Sequence, residues 1–298
     1  MNGTILLSIT LSAVLTVAAR AEELTVEGGK IDVQFEGTVP SAEWRRAAVE
    51  WTASAARAVT VYYGRFPVRR AVVRIAPGRG SEPRGGTAYG WNGSLIVMTL
   101  GRNATAADLA DDWMMPHEMV HLALPSLAER HLWLEEGIAS YVEPIARVRA
   151  GQLAPEAAWA GFVDGMPQGL PEAGDRGLDY THTWGRTYWG GALFCLQADL
   201  EIRRRTGQRA GLEHALRAIL AAGGSIEREW RIERVLATGD AGTGVTVLQE
   251  LYAQWRGAPV QVDLPALWKS LGIASRRGAV TLDDTAPLAA VRRAITAR

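Results

Sequence analysis

The sequence predicts an α+β protein in which a small mixed sheet comes first and a mainly helical region follows. Three stretches carry this expectation. Lys30 to Glu36 alternates Ile31, Val33 and Phe35 against Asp32, Gln34 and Glu36, the period of a half-buried strand. Thr87 to Leu100 reads as a hairpin, because Asn92-Gly93 is the dipeptide that most readily forms a type I′ turn. Beyond it the pattern is helical, first through the segment carrying His117 and His121, with Pro125 near its end, and then from Trp133 to Arg149.

Each element has its own signal. Ser41, after Pro40, is an N-cap, and Trp44, Ala48, Trp51, Ala55 and Val59 form the apolar stripe of a helix that Gly64 ends. Arg70 to Ala76 is rich in valine and isoleucine and reads as a strand; Arg79 to Gly86 reads as a loop. Pro116 removes a helical hydrogen bond, so the helix carrying His117 either starts close to Asp112, with Thr105 or Asn103 as upstream caps, or kinks before His117. Pro144 bends or interrupts the next helix. Residues 150 to 182 read as irregular chain, either a cleft wall or a surface excursion. A long helix from Thr183 to Thr206 stops at Gly207, and further helices span Ala210–Ala222, Val245–Arg256 and Leu264–Leu271.

Composition narrows the function classes. The chain has 298 residues, 48% of them hydrophobic and 21% charged, which is long enough and apolar enough to bury a sizeable core. Its net charge is zero, so no overall field draws it to nucleic acid or anionic lipid, and no nucleic-acid partner is expected. Cys195 is the only cysteine; it lies among Leu193, Phe194 and Leu196 and reads as a buried structural thiol. Ile5 to Ala19 is apolar or hydroxylic and Ala19-Arg20-Ala21 is an A-x-A site, so residues 1–21 read as a signal peptide cleaved near Ala21. Export to a periplasmic or extracellular location follows, with no transmembrane domain in the mature chain; an uncleaved membrane anchor is the alternative, since no Lys or Arg precedes the apolar run.

The chemistry concentrates between His117 and Glu143. His117-Glu118-Met119-Val120-His121 has the form H-E-x-x-H. On a helix, residues four apart lie about 40° from each other around the axis, so both imidazoles face one way and suit two corners of a zinc tetrahedron, with Glu118 near the open position as general base. A third ligand must come from a facing element. Glu136 is placed for it, with 14 residues between it and His121, room for a turn and an antiparallel helix.

Here the sequence resembles the gluzincin zinc metallopeptidases, in which H-E-x-x-H is followed by a helix reading (W)-L-x-E-G-x-A-x-Y. The counterpart is Trp133-Leu134-Glu135-Glu136-Gly137-Ile138-Ala139-Ser140-Tyr141, and the resemblance makes Glu136 the third zinc ligand. Tyr188-Trp189-Gly190-Gly191 resembles the glycyl-aminopeptidase branch and falls on the Y-x-K-G motif of the wider group, with Gly190 in place of lysine; the resemblance gives Tyr188 the role of hydrogen-bonding the oxyanion. In aminopeptidase-N-like members an acid at the position of Glu143 supports a zinc histidine, which implies that Glu143 orients an imidazole. One arm of the hairpin would bind the substrate backbone by strand addition.

The resemblance covers roughly residues 85 to 275 and implies a catalytic unit with a thermolysin-like zincin fold. The parts expected are a signal peptide (1–21), an amino-terminal α/β lobe with the edge hairpin (22–115) and a helical lobe carrying the zinc site (116–298), with the site in the cleft between the lobes. Two departures stand out. The interval between His121 and Glu136 is shorter than in aminopeptidase-N-like members, and no Gly-x-Met-Glu-Asn motif is present to bind a substrate amino terminus. The implied activity is zinc-dependent hydrolysis of peptide bonds, with one Zn²⁺ and a peptide or protein substrate. Two alternatives use the same residues: a peptidase-like binding protein without turnover, and a zinc hydrolase of a non-peptide substrate.

Overall fold

The computed structural model describes residues 22–276 and 278–297. The export signal expected at residues 1–21 therefore lies outside the described residues. Five strands form one mixed sheet: β1 (Glu22–Val26), β2 (Gly29–Phe35), β3 (Arg70–Gly78), β4 (Pro83–Tyr89) and β5 (Ser94–Gly101), in the order β1-β2-β3-β5-β4. β2, β3 and β5 run parallel, and β1 and β4 close the two edges antiparallel. The alternation in β2 is borne out, with Ile31, Val33 and Phe35 buried. The hairpin joining β4 to β5 turns through Asn92 and Gly93, whose φ angles of 59° and 109° are the positive values a type I′ turn demands.

Helix α1 (Ala42–Tyr63) joins β2 to β3, the crossover that parallel strands require. Ser41 Oγ accepts the Trp44 N–H at 3.1 Å, and Gly64 ends the helix at φ 80°. Two tryptophans on α1 then fix what surrounds it. Trp44 Nε1 donates to the Gly101 carbonyl at 2.8 Å, tying α1 to β5, and Trp51 Nε1 donates to Asp112 Oδ2 at 2.9 Å.

Asp112 explains how the chain handles Pro116. Helix α2 (Ala106–Ala110), capped by Thr105, stops, and α3 (Met114–His121) begins afresh. Asp112 Oδ2 accepts the Met115 N–H at 3.1 Å, and Pro116 falls in the first turn, where its missing N–H has no partner to lose. Of the two options left by the sequence, the fresh start near Asp112 is the one observed.

The remaining helices are α4 (Leu132–Arg149), α5 (Pro155–Gly165), α6 (Gly191–Thr206), α7 (Leu212–Ala221), α8 (Ile232–Thr243), α9 (Val247–Trp255), α10 (Leu264–Leu271) and α11 (Ala289–Thr296). A two-stranded ribbon, β6 (Ile273–Arg276) and β7 (Ala279–Leu282), separates the last two. No helix among the described residues is long and apolar enough to cross a membrane. Cys195 is buried on α6, as its neighbours implied.

Several segments differ from the sequence expectation. β4 starts at Pro83, inside the stretch read as a loop, because pairing with β5 carries Gly85 and Gly86 into the sheet. Within residues 150–182, α5 forms because Trp159 and Phe162 are fully buried, which outweighs the helix-weakening glycines. α8 has no counterpart among the expected helices; a Cβ on Gly242 would stand 2.3 Å from Ala218 Cβ, so the glycine lets α7 and α8 pack closely. The long helix expected from Thr183 is interrupted by a π-helical turn at Arg186–Gly190. β1, β6, β7 and α11 are short elements without a sequence signal of their own. Arg204 and Arg205 are paired with Glu201 as surface ion pairs, whereas Arg203 is buried between Asp199 and Glu213.

Candidate metal centre

α3 and α4 lie against each other, and their packing brings three donor side chains to one point. His117 Nε2 lies 3.1 Å from Glu136 Oε2, and His121 Nε2 lies 3.6 Å from the same oxygen. The two rings meet edge to face at 5.0 Å, as the one-turn spacing on α3 requires. All three donor atoms fall within 4.8 Å of one another. Metal–ligand bonds of about 2.0–2.1 Å at a tetrahedral centre leave ligand atoms about 3.3 Å apart, which is the scale observed here. Two imidazole nitrogens and one carboxylate oxygen are also zinc's preferred donor types. The residues present fit the ion.

Position on α4 is set by what precedes it. The chain leaves α3, forms a 3₁₀ turn at Glu129–His131 and enters α4 at Leu132. Glu135 Oε1 accepts the Leu127 N–H at 2.8 Å, and His131 and Trp133 both bond the buried Asp179. These contacts fix the rotation of α4 and so the direction of Glu136.

Tyr188 arrives from a third direction, and glycine contact makes this possible. A Cβ on Gly137 would stand 2.4 Å from Gly191 Cα, and one on Gly191 would stand 2.0 Å from the Trp133 carbonyl. α4 and the start of α6 therefore touch backbone to backbone beside Glu136. The π-turn carries Tyr188 just upstream of that contact, stacked over His117 at 6.1 Å. π-turns inside helices recur at functional sites.

The fourth wall is the edge strand. A Cβ on Gly86 would stand 2.7 Å from both Glu118 Cγ and Met98 Sδ, so β4 crosses directly over Glu118 only because residue 86 lacks a side chain. The Ala88 backbone lies beside the Glu118 carboxylate and favours its ionised form. A cavity of ≈ 450 Å³ results, lined by β4 residues together with Glu118, His121, Glu135, Glu136 and Tyr188. Sequence reading did not assign Gly86, Ala88, Glu135 or Gly137 a place in the site. The glycines next to a carboxylate-bearing element were the available signal, but the partner of each is distant in the chain.

Electrostatics follow from burial and from the converging charges. Burial pushes the Glu118 carboxyl up, with Glu136 adding to the rise while His121 and the Ala88 backbone oppose it. Burial would raise Glu136 too, but hydrogen bonds from His117 and His121 override it and hold Glu136 at about 2. Burial lowers His117; the same effect on His121 is outweighed by Glu136, Glu118 and Glu135, which raise it. Burial, then the nearby Glu136 and Glu118, push the Tyr188 hydroxyl up to about 12, so it keeps its proton at neutral pH and remains a donor.

Of the residues singled out by sequence, the structure gathers His117, Glu118, His121, Glu136 and Tyr188. Glu143 is placed differently. Its carboxylate accepts a hydrogen bond from Arg147 Nη1 at 3.0 Å, and among the described residues no hydrogen bond joins it to either imidazole. Burial pushes it up to about 7. The i to i+4 arginine on the same helix reaches it more readily than a ring on α3.

The sequence matches no protein-family model and no curated protein. Solved structures do match. An aminopeptidase N family protein from Idiomarina loihiensis aligns over 85% of this chain and 49% of its own, with a TM-score of 0.60 at 16% identity. An M1 zinc metallopeptidase from Deinococcus radiodurans aligns over 83% of this chain and 52% of its own, with a TM-score of 0.52 at 18% identity. A variant of the Deinococcus protein bound to a Tyr-Ser-Ala substrate gives 0.51 at 17% identity, over 83% of this chain and 53% of that one. The chain spans about half the length of these structures. The chain shares the α+β fold of these aminopeptidase-N-like structures.

Proposed function

We propose that this chain is a zinc-dependent peptidase, with His117, His121 and Glu136 as the metal ligands. The observation that carries the reading is the convergence of both Nε2 atoms on one Glu136 oxygen, with Glu118 and Tyr188 lining the same cavity. When bound, zinc supplies Lewis acidity toward water and the scissile carbonyl. Glu118 accepts the proton of the attacking water and passes it to the leaving amine. Tyr188, protonated at neutral pH, donates a hydrogen bond to the oxyanion that develops on the carbonyl oxygen. Glu136 remains ionised throughout, so two neutral imidazoles and one carboxylate leave a net positive centre that favours an anionic transition state over a neutral amide.

The edge strand supports a peptide over other zinc-hydrolase substrates. β4 is an edge strand of the sheet and residues 86–89 line the cavity, an arrangement that suits an extended chain added as a further strand. The similar zinc metallopeptidase structures point the same way, one of them holding a Tyr-Ser-Ala substrate. On this reading the metal occupies a thermolysin-like cleft between an α/β lobe ending near residue 115 and a helical lobe after it.

Mass-spectrometric mapping of cuts in a mixed peptide library, with zinc quantified on the same sample, tests the proposal. One zinc per chain and cuts absent from Glu118→Gln are expected. Zinc binding with no cuts in any peptide would leave a peptide-binding protein or a hydrolase of another substrate.

A further inference from the structure

Beside the cavity under β4 lies a second one, of ≈ 440 Å³, whose wall includes both Tyr188 and His117. Tyr188 lines both cavities, so the two adjoin at the proposed catalytic tyrosine. The second is built from rings. Trp184 stacks on Tyr188 at 5.5 Å and 23°, Tyr188 stacks on His117 at 17°, and Trp113 meets His117 edge-on at 5.5 Å. Trp189 closes the far side, and it fits only because residue 165 is glycine: a Cβ there would stand 2.2 Å from the indole ring.

Trp113 and Trp184 remain 51% and 59% exposed at its mouth. Large apolar side chains held open around a concave site mark a ligand surface, and the volume is that of a side-chain or small-molecule pocket. Charge decides between occupants. Of the two carboxylates in its lining, Glu143 is buried and bonded to Arg147, and Asp164 is exposed on α5. Neither is a buried, unpaired anion that would hold a lysine or arginine.

We infer that this cavity receives a side chain flanking the bond to be hydrolysed, and that it selects an aromatic ring over a small or cationic group. The inference rests on the peptidase reading above. An aromatic side chain would extend the stack Trp184–Tyr188–His117 in the offset or edge-on arrangements that ring quadrupoles favour. Its backbone would then lie at Tyr188, where the first cavity and β4 begin.

The test reads binding and turnover separately. Short peptides that differ only in placing Phe, Lys or Ala at one position after another are titrated by calorimetry into the zinc-loaded Glu118→Gln chain. At one position Phe binds about tenfold or more tighter than Ala, the scale set by burying one aromatic side chain. Adding Trp184→Ala or Trp113→Ala removes most of that advantage and leaves the Ala peptide within about twofold. Both tryptophans are half exposed, so neither substitution threatens folding. A preference for Lys, or a Phe advantage that survives both substitutions, would overturn the inference. Turnover of the same peptides by the wild-type chain separates the two readings. Cuts adjoining the Phe position sustain both; tryptophan-dependent Phe binding without cuts removes the hydrolytic step alone; cuts indifferent to Phe remove the aromatic pocket alone.

Discussion

Two histidine–carboxylate pairs sit within one stretch of this chain and have opposite characters. His117 and Glu136 approach to 3.1 Å, and His131 and Asp179 to 3.0 Å. The second pair is closed. Asp179 takes hydrogen bonds from His131 Nδ1, Trp133 Nε1 and the Tyr252 hydroxyl, so its carboxylate lone pairs are occupied by partners in a buried setting. The first pair is open: a second imidazole aims at the same oxygen, and the cluster faces a cavity with Glu118 and Tyr188 on its walls. What distinguishes a site from a support is thus whether the polar groups satisfy one another or converge on space. Pair distance alone does not report it.

The comparison breaks or sharpens at several points. Glu118→Gln is expected to lower kcat by roughly 10²–10⁴-fold, the usual contribution of a general base, with zinc content and circular dichroism unchanged. Turnover retained in that variant would remove Glu118 from the mechanism. Tyr188→Phe is expected to lower kcat by roughly 10²–10³-fold, the scale of one oxyanion donor, with a smaller change in KM. A change confined to KM would make Tyr188 a binding residue.

The two carboxylates should then separate by kind of effect. Glu136→Ala lowers zinc affinity by more than the roughly 10–100-fold that loss of a ligand's supporting partner costs, with the fold retained. Competition with a zinc chelator reads this directly. Asp179→Ala costs roughly 3 kcal/mol of stability in denaturant titration, because it strands buried partners, and leaves one zinc per chain.

Acid sensitivity gives that carboxylate a second signature. Burial tends to raise Asp179, but hydrogen bonds from His131, Trp133 and Tyr252 bring it below its ordinary value. A depressed carboxylate adds stability that is present above its unfolded value of about 3.9 and is lost as pH falls through the folded value. The gap between wild type and Asp179→Asn should therefore narrow below about pH 4.

The smallest effect belongs to Glu143. Since it bonds Arg147, Glu143→Gln should leave zinc affinity within about threefold; a loss of 10–100-fold would restore its role in orienting an imidazole.

Sequence alone determined the local features, because their causes are local. The one-turn spacing of His117 and His121 follows from helical geometry, Ser41 and Gly64 bound α1 by capping chemistry, and Asn92-Gly93 turns the hairpin by its φ preference. Glu136 and Tyr188 were legible through motif resemblance.

Tertiary structure decided the rest, because it depends on partners remote in the chain. Gly86 reads as a loop residue until Glu118 fills the space its absent Cβ leaves. Gly137 and Gly191 lie 54 residues apart in sequence, and only their contact sets the closeness of α4 and α6, and with it the reach of Tyr188. Glu143 and Glu136 lie on one helix, but only packing against α3 and the presence of Arg147 give one an imidazole partner and the other a guanidinium. Sequence supplies the groups and their local geometry, and close packing of distant segments decides which of them meet.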